Sequence, residues 1–385
     1  MDSLFEKKRM FFLHGDRIYI KPKHACGTVQ EQIEDCLAQV KKINSGKKIF
    51  KLNFFVDTAS DNDYAELVSH VRGRVDELFT EKFVQNFIAQ PPLNCRVVIE
   101  AFYYDPLEWK LTTISVEENN AAIFDNGNTR FLIGMVQSNH NASCKINAEH
   151  TFTDLVNLLD QAGMEMKHII RQWNYLEDIL GFDGGEQRYQ EFNNVRSRFY
   201  GDAFLENGYP AATGIGMNRG GVIIEFVAVK SDEIISKPVD NPGQISAHRY
   251  SEKVLVGEEC VLKTTPKFER ARYLELQGKK LILISGTASI TGEKTIGVGD
   301  PVMQTEVTID NIRRLYSEQV VGMISDEKME PKYGHARVYV KNRKDFAAIR
   351  RTFKKHYGNL PVVYIIADIC RTDLLVEIEG KVILE

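Results

Sequence analysis

Residues 360–379 read LPVVYIIADICRTDLLVEIE. Two apolar runs, 362–369 and 374–378, flank the polar triplet Arg371-Thr372-Asp373. The pattern predicts a β-hairpin. A loop over 371–374 sets Cys370 opposite Leu375 and Asp368 opposite Glu377. Cys370 and Glu377 are then diagonal neighbours on one face, about 7–8 Å apart. A half-buried carboxyl facing another carboxylate takes a raised pKa, which suits a general acid. The other reading is an edge hairpin with its acids in water, because register is not written in the sequence.

Outward from this stretch, the chain is that of a soluble globular protein. Its 385 residues are 43% hydrophobic and 26% charged, enough for two or three domains with ample core. The net charge is −4 with no basic block, which argues against general nucleic-acid binding. No apolar run approaches the ~18 residues of a membrane span. The N-terminal MDSLFEKKRMFFLHGDRIYI mixes charge with apolar residues and lacks a signal-peptide core. Six cysteines (26, 36, 95, 144, 260, 370) form no C-x-x-C pair. The expectation is reduced thiols in the cytoplasm, with no disulfide frame and no zinc site.

Upstream, the same kind of unit recurs. In the first, KIFKLNFFVDTAS is a strand, 61–81 an amphipathic helix capped by Asp61, and NCRVVIEAFYYD a strand after Pro91-Pro92. Residues 11–21 are strand-like and 29–43 suggest a helix, yet only the second half of this unit is clear. In the second unit RFLIGMVQS is a strand. TFTDLVNLLDQAGM is a helix capped within 151–154 and ended by Gly163. HIIRQWNYLEDI is a strand, 186–204 a helix, and GYPAATGIGM with GVIIEFVAVK a hairpin about 218–221. In the third, KKLILISGTASI is a strand leading into a small-residue turn at 286–289. Pro92, Pro210 and Pro361 take matching places in the three units. A repeat at roughly 110–150 residues means three copies of one α+β module, a trimer mimicked within one chain. The expected divisions are 1–125, 126–232, a connection 233–276 and 277–385. A connection of that length suggests a functional segment.

The third unit resembles the YjgF/RidA family in LILISGTASI, ARVYVKNRKDF and LPVVYIIADICRTDLLVEIEG. That family forms trimers with active sites between subunits. Glu377 matches its acidic position. Val362-Val363 stand where its arginine follows the proline, which counts against imine hydrolysis. The second unit is more specific. RQWNYLEDI, QRYQEFNNVRSRFY, GYPAATGIG and IEFVAVK, with SGTASI and ADICRTDLLVEIEG, are similar in content and order to the chorismatase family over roughly 125–385. The resemblance implies a pseudo-trimer of YjgF/RidA-like modules with one site between the second and third. It also implies chorismate as substrate, and pyruvate released with a hydroxybenzoate or a cyclohexadiene diol.

Chorismate carries two carboxylates, which arginine forks grip well. Tyr189 and Arg196 are seven residues apart and share a helix face. With the resemblance they become substrate contacts; without it Arg196 reads as a snorkelling surface residue. Tyr209 and Thr213 lie in the segment matching the family's substrate-facing strand. Arg337 either pairs with substrate or faces water. Arg171 and Arg198 are weaker candidates. Gly214-Ile215-Gly216 is too short for a dinucleotide fingerprint. Cleaving the enol ether needs a proton on the methylene carbon, and Glu377 is the expected acid. In the family, a cysteine at the place of Cys370 goes with the 3-hydroxybenzoate branch; otherwise Cys370 is a small core hydrophobe. The chemistry requires no metal or organic cofactor. The expectation is a chorismatase making 3-hydroxybenzoate, as a monomer or weak dimer without nucleic-acid or membrane partners. Its rivals are the hydrolytic branch, a RidA-like deaminase and a non-enzymatic YjgF-type binding protein.

Overall fold

The computed structural model describes residues 17–43, 46–140, 142–251, 263–325 and 327–385. The first module runs β1 (Arg17–Ile20), α1 (Val29–Lys42), β2 (Lys48–Val56), α2 (Asp61–Leu78), β3 (Val84–Ile88) and β4 (Val97–Tyr104). A hairpin follows, β5 (Lys110–Val116) and β6 (Asn119–Asp125). The second module runs β7 (Thr129–Ser138), α3 (Cys144–Gln161), β8 (Ile169–Glu177), the short β9 (Phe182–Asp183) and β10 (Glu186–Gln187), α4 (Arg188–Tyr200), β11 (Ala211–Met217) and β12 (Val222–Ser231). Strands β13 (Ile235–Val239) and β14 (Ala271–Leu276) lead to the third. It consists of β15 (Lys279–Ala288), the short β16 (Ile290–Thr291) and β17 (Lys294–Thr295), α5 (Pro301–Leu315), α6 (Glu318–Ile324), β18 (Pro331–Val340), α7 (Phe346–Tyr357), β19 (Val362–Ile366) and β20 (Val376–Leu384).

The sheet orders are β1-β4-β2-β3, β11-β8-β12-β7-β6-β5 and β13-β14-β15-β20-β18-β19. Within each, the module's own strands stand first-fourth-second-third, with the second and third parallel. The fold is α+β, a pseudo-trimer of one repeated module. The first module is complete, with β1 and α1 supplying the half that the sequence left faint.

The inner strands of each sheet are buried on both faces. In β2, Leu52, Phe54 and Val56 lie under the helices with Ile33 and Leu67. Phe55, on the other face, joins a central core with Trp173 and Ile215 of the second module and Leu283 and Tyr339 of the third. A strand covered on both sides reads as a continuous apolar run, which explains the look of all three repeats. The helices carry their own start signals. The Thr28 side chain and Glu31 form a capping box on α1, and Asp300 with Pro301 opens α5. No helix among the described residues is long and apolar enough to cross a membrane.

Several expectations change. Residues 360–379 are not a hairpin, because β18 lies between β19 and β20, parallel to one and antiparallel to the other. Likewise β8 separates β11 from β12. In both cases a strand formed earlier in the chain supplies the partner, and local pattern carries no trace of it. Helix α3 starts at Cys144 with Ser143 as cap, so Thr151 is mid-helix and donates to the Asn147 carbonyl at 2.7 Å. Ser60, not Asp61, caps α2. Pro210 and Pro361 precede β11 and β19, whereas Pro92 follows β3. Strand β15 continues through 286–288 instead of turning. The hairpin 110–125 extends the second sheet, placing the boundary expected at 125 inside it, and β13 and β14 of the connection extend the third.

Candidate active site

The fourth strands repeat one short motif: VVIE at 97–100, VIIE at 222–225 and VEIE at 376–379. Side chains alternate across a strand, so each final glutamate points to the centre. Glu100, Glu225 and Glu379 are all buried there, around Arg337. The Arg337 guanidinium bonds to Glu100, lies 3.3 Å from Glu379 and 3.7 Å from Glu225, and donates to the Tyr175 hydroxyl at 2.8 Å. Lys51 pairs with Glu225, and Arg17 with Glu100 at 2.9 Å. Two residues earlier the modules differ. Val98 and Ile223 are apolar, and Glu377 alone is a carboxyl.

Glu377 faces a cavity of about 490 Å³ between the second and third modules. Helix α4 contributes Tyr189, Gln190 and Asn193; β11 contributes Gly214; β15 contributes Gly286 and Ala288. The segment after β19 adds Cys370 and Arg371, and the former connection adds Tyr250, Phe268 and Arg270. Opposite Glu379, β15 bulges: Ile284 pairs with Gly380 and Thr287 with Ile378. Ser285 and Gly286 together fill the place of one residue, a device common beside active sites. A Cβ on Gly286 would fall 2.1 Å from Glu377 Oε1, and one on Gly214 would fall 3.0 Å from the Tyr189 ring. The two glycines let carboxyl and ring lie flat against backbone.

Glu377 is 4% exposed, and no described residue hydrogen-bonds its carboxyl. Burial and the charge of Glu379 push it up to about 8, against the opposite pull of Arg171 and Arg270. It therefore holds a proton at neutral pH. Burial, with Glu377 beside it, pushes the Cys370 thiol up to about 12, so it stays a thiol. The Tyr189 phenol is likewise raised by burial.

Of the seven residues expected in the site, Glu377, Cys370 and Tyr189 line the cavity. Arg196 lies behind Asn193, donating to its Oδ1 at 2.6 Å. It is 1% exposed, its Nε has no partner, and no described carboxylate pairs with it. A buried cation without a counter-ion is costly unless an anion arrives. Tyr209 stacks on Tyr200 and meets the His248 ring at a tilt, outside the cavity lining. Thr213 also sits behind the lining, bonded to Arg171 and Glu379. Arg337 neither faces water nor reaches the cavity; the central glutamates hold it. Arg171 pairs with Glu379, and Arg198 with Glu149 at the surface. The residue missed is Arg270, which donates to the Tyr250 hydroxyl and the Ile245 carbonyl, both at 2.6 Å. Its guanidinium lies over the rings of Tyr250 and Phe268. The alternation Phe268-Arg270 just before a strand was the available signal.

Residues 108–228 match the family described as chorismatase FkbO/Hyg5-like, N-terminal. A 3-hydroxybenzoate synthase from Streptomyces hygroscopicus is 30% identical over 243 residues, spanning 60% of this chain and 67% of that protein. A chorismatase from Streptomyces rapamycinicus is 31% identical over 238 residues, spanning 60% and 68%. The crystal structure of a chorismatase superposes with a TM-score of 0.68 at 21% identity, covering 95% of this chain and 98% of that one. The two share a fold.

Proposed function

The chain belongs to the chorismatase family, and from that we propose that it converts chorismate to 3-hydroxybenzoate and pyruvate in the cavity between its second and third modules. The observation that carries this reading is Glu377, a buried carboxyl pushed up to about 8, facing the cavity with no hydrogen-bond partner among the described residues. Such a group has a proton to give and no neighbour to give it to. Its target is the methylene carbon of the enolpyruvyl group. Protonation there leaves an oxocarbenium centre on the ether carbon. Attack of the neighbouring ring hydroxyl on the ring carbon that bears the ether then breaks the ring–oxygen bond, releases pyruvate as the keto acid without water, and leaves an epoxide that opens with loss of a ring proton to 3-hydroxybenzoate. Water adding to the oxocarbenium carbon instead gives a hemiketal, which loses the bond from that carbon to the ether oxygen and yields pyruvate and the diene diol.

Arg270, in the cavity wall, offers a cation to one carboxylate of the substrate, and Arg196, buried behind Asn193 with no carboxylate partner among the described residues, is the candidate for the other. Tyr189 packs along the ring's side of the cavity. Cys370, an uncharged thiol beside Glu377, occupies space that a hydrolytic water would use. Both cavity walls come from one chain, so a monomer suffices.

The test is incubation of purified protein with chorismate alone, followed by chromatography of the products. Pyruvate with 3-hydroxybenzoate is expected, and Glu377→Gln should lose roughly 10²-fold or more in kcat while still binding. Cys370→Ala should shift product toward the diene diol. Folded protein that releases no pyruvate would sink the reading.

A further inference from the structure

Behind Glu377 stands a group of buried side chains that the reaction above leaves idle. Glu379 is 2% exposed. Trp173 Nε1 donates to both its oxygens at 2.8 Å, Arg171 Nη2 to one at 2.5 Å, and the Thr213 hydroxyl also donates to it. A threonine hydroxyl has one hydrogen and two acceptor positions. The hydrogen of Thr213 goes to Glu379, and its oxygen accepts from Arg171 Nη2 at 2.7 Å and from the Gly286 N–H at 3.0 Å. Nothing remains for a substrate carboxylate. Gly286 is the bulge residue on which the Glu377 carboxyl rests.

We propose that Thr213 and Glu379 are positioning residues for Glu377: Thr213 ties the Gly286 bulge of the third module to Glu379, and so fixes the surface against which the acid lies. The inference rests on Glu377 being the proton donor. It moves Thr213 from substrate contact to support. Glu379 has a second effect through its negative charge. Glu377 faces Glu379 on its own strand, Arg171 on β8, Arg270 ahead of β14, Cys370 after β19, Tyr189 on α4 and, in register on β18, Tyr339. Both arginines favour the ionised acid, whereas Glu379 favours the protonated one.

The experiment compares wild type with Thr213→Val, Thr213→Ser and Glu379→Gln. Thr213→Val should lose about tenfold in kcat with KM held within about twofold, and Thr213→Ser should recover most of it. Glu379→Gln should move the alkaline limb of kcat/KM down by roughly one pH unit. The infrared band of the protonated Glu377 carboxyl, identified by its loss in Glu377→Gln, should vanish at correspondingly lower pH. A Thr213→Val enzyme with raised KM and unchanged kcat would overturn the inference and return Thr213 to substrate contact. An unmoved limb in folded Glu379→Gln would overturn it too. If that variant does not fold, the two threonine variants decide. Wild type inert toward chorismate is a failure of the function, and the infrared titration then still reads whether Glu379 governs Glu377.

Discussion

At the scale of one residue, Glu377 couples chemistry to pH. A proton donor at about 8 keeps turnover level through neutrality and loses it as pH rises past that value. Stability bends in the same place. In the unfolded chain the group releases its proton near its ordinary 4.5. Below that pH both states are protonated. Between there and about 8 only the unfolded chain ionises, so the folded state loses stability as pH rises, and the loss levels off above. Glu377→Gln removes this dependence. Urea unfolding should show the variant gaining on wild type by a few kcal/mol at most between about pH 5 and pH 9. A gap that stays constant across that range would mean an ordinary carboxyl.

At the scale of the element, the bulge in β15 is the decisive feature. Its residue Gly286 carries no side chain where the Glu377 carboxyl lies. Gly286→Ala introduces a Cβ 2.1 Å from Glu377 Oε1 and 3.1 Å from Thr213 Cγ2. The carboxyl must swing away, and a displacement of about 1 Å costs roughly a hundredfold in rate. Gly286 has no left-handed backbone, so alanine fits the conformation. The expected result is a folded variant with kcat lowered on that order; turnover near wild type would show that the acid has freedom to move.

At the scale of the whole molecule, the ring of modules closes on a charged centre. Arg337 is 0% exposed and bonded among Glu100, Glu225 and Glu379, one glutamate from each module. Arg337→Met leaves three carboxylates facing one another away from water. Removing one partner of a buried pair typically costs about 3–5 kcal/mol. Chemical denaturation should find a loss of that size, and a loss below about 1 kcal/mol would show the centre to be hydrated. The same repetition sets the interface between the second and third modules apart from the other two. The places of Glu377 in the other fourth strands are Val98 and Ile223, so the pseudo-symmetric interfaces carry no matching acid.

Much of this was legible in the chain. The threefold repeat and most of the helices follow from periodicity, a property of contiguous residues. Tyr189 and the acid role of Glu377 came from the family resemblance, and the nearness of Cys370 to Glu377 was expected from a hairpin that the fold does not form. Tertiary structure alone decided strand neighbours and charge partners. The two apolar runs of 360–379 look like a hairpin because both are buried strands, but β18, from 331–340, separates them. Arg337 looked free to bind substrate because its partners Tyr175 and Glu100 stand 162 and 237 residues away. Thr213 likewise meets Glu379 across 166 residues, and Arg270 reaches the cavity only because β14 joins the third sheet. Sequence determined which local pieces could form. Their order in the sheets determined which polar groups were already satisfied and which were left facing the cavity, because a hydrogen bond or ion pair depends on distance in space and not on separation along the chain.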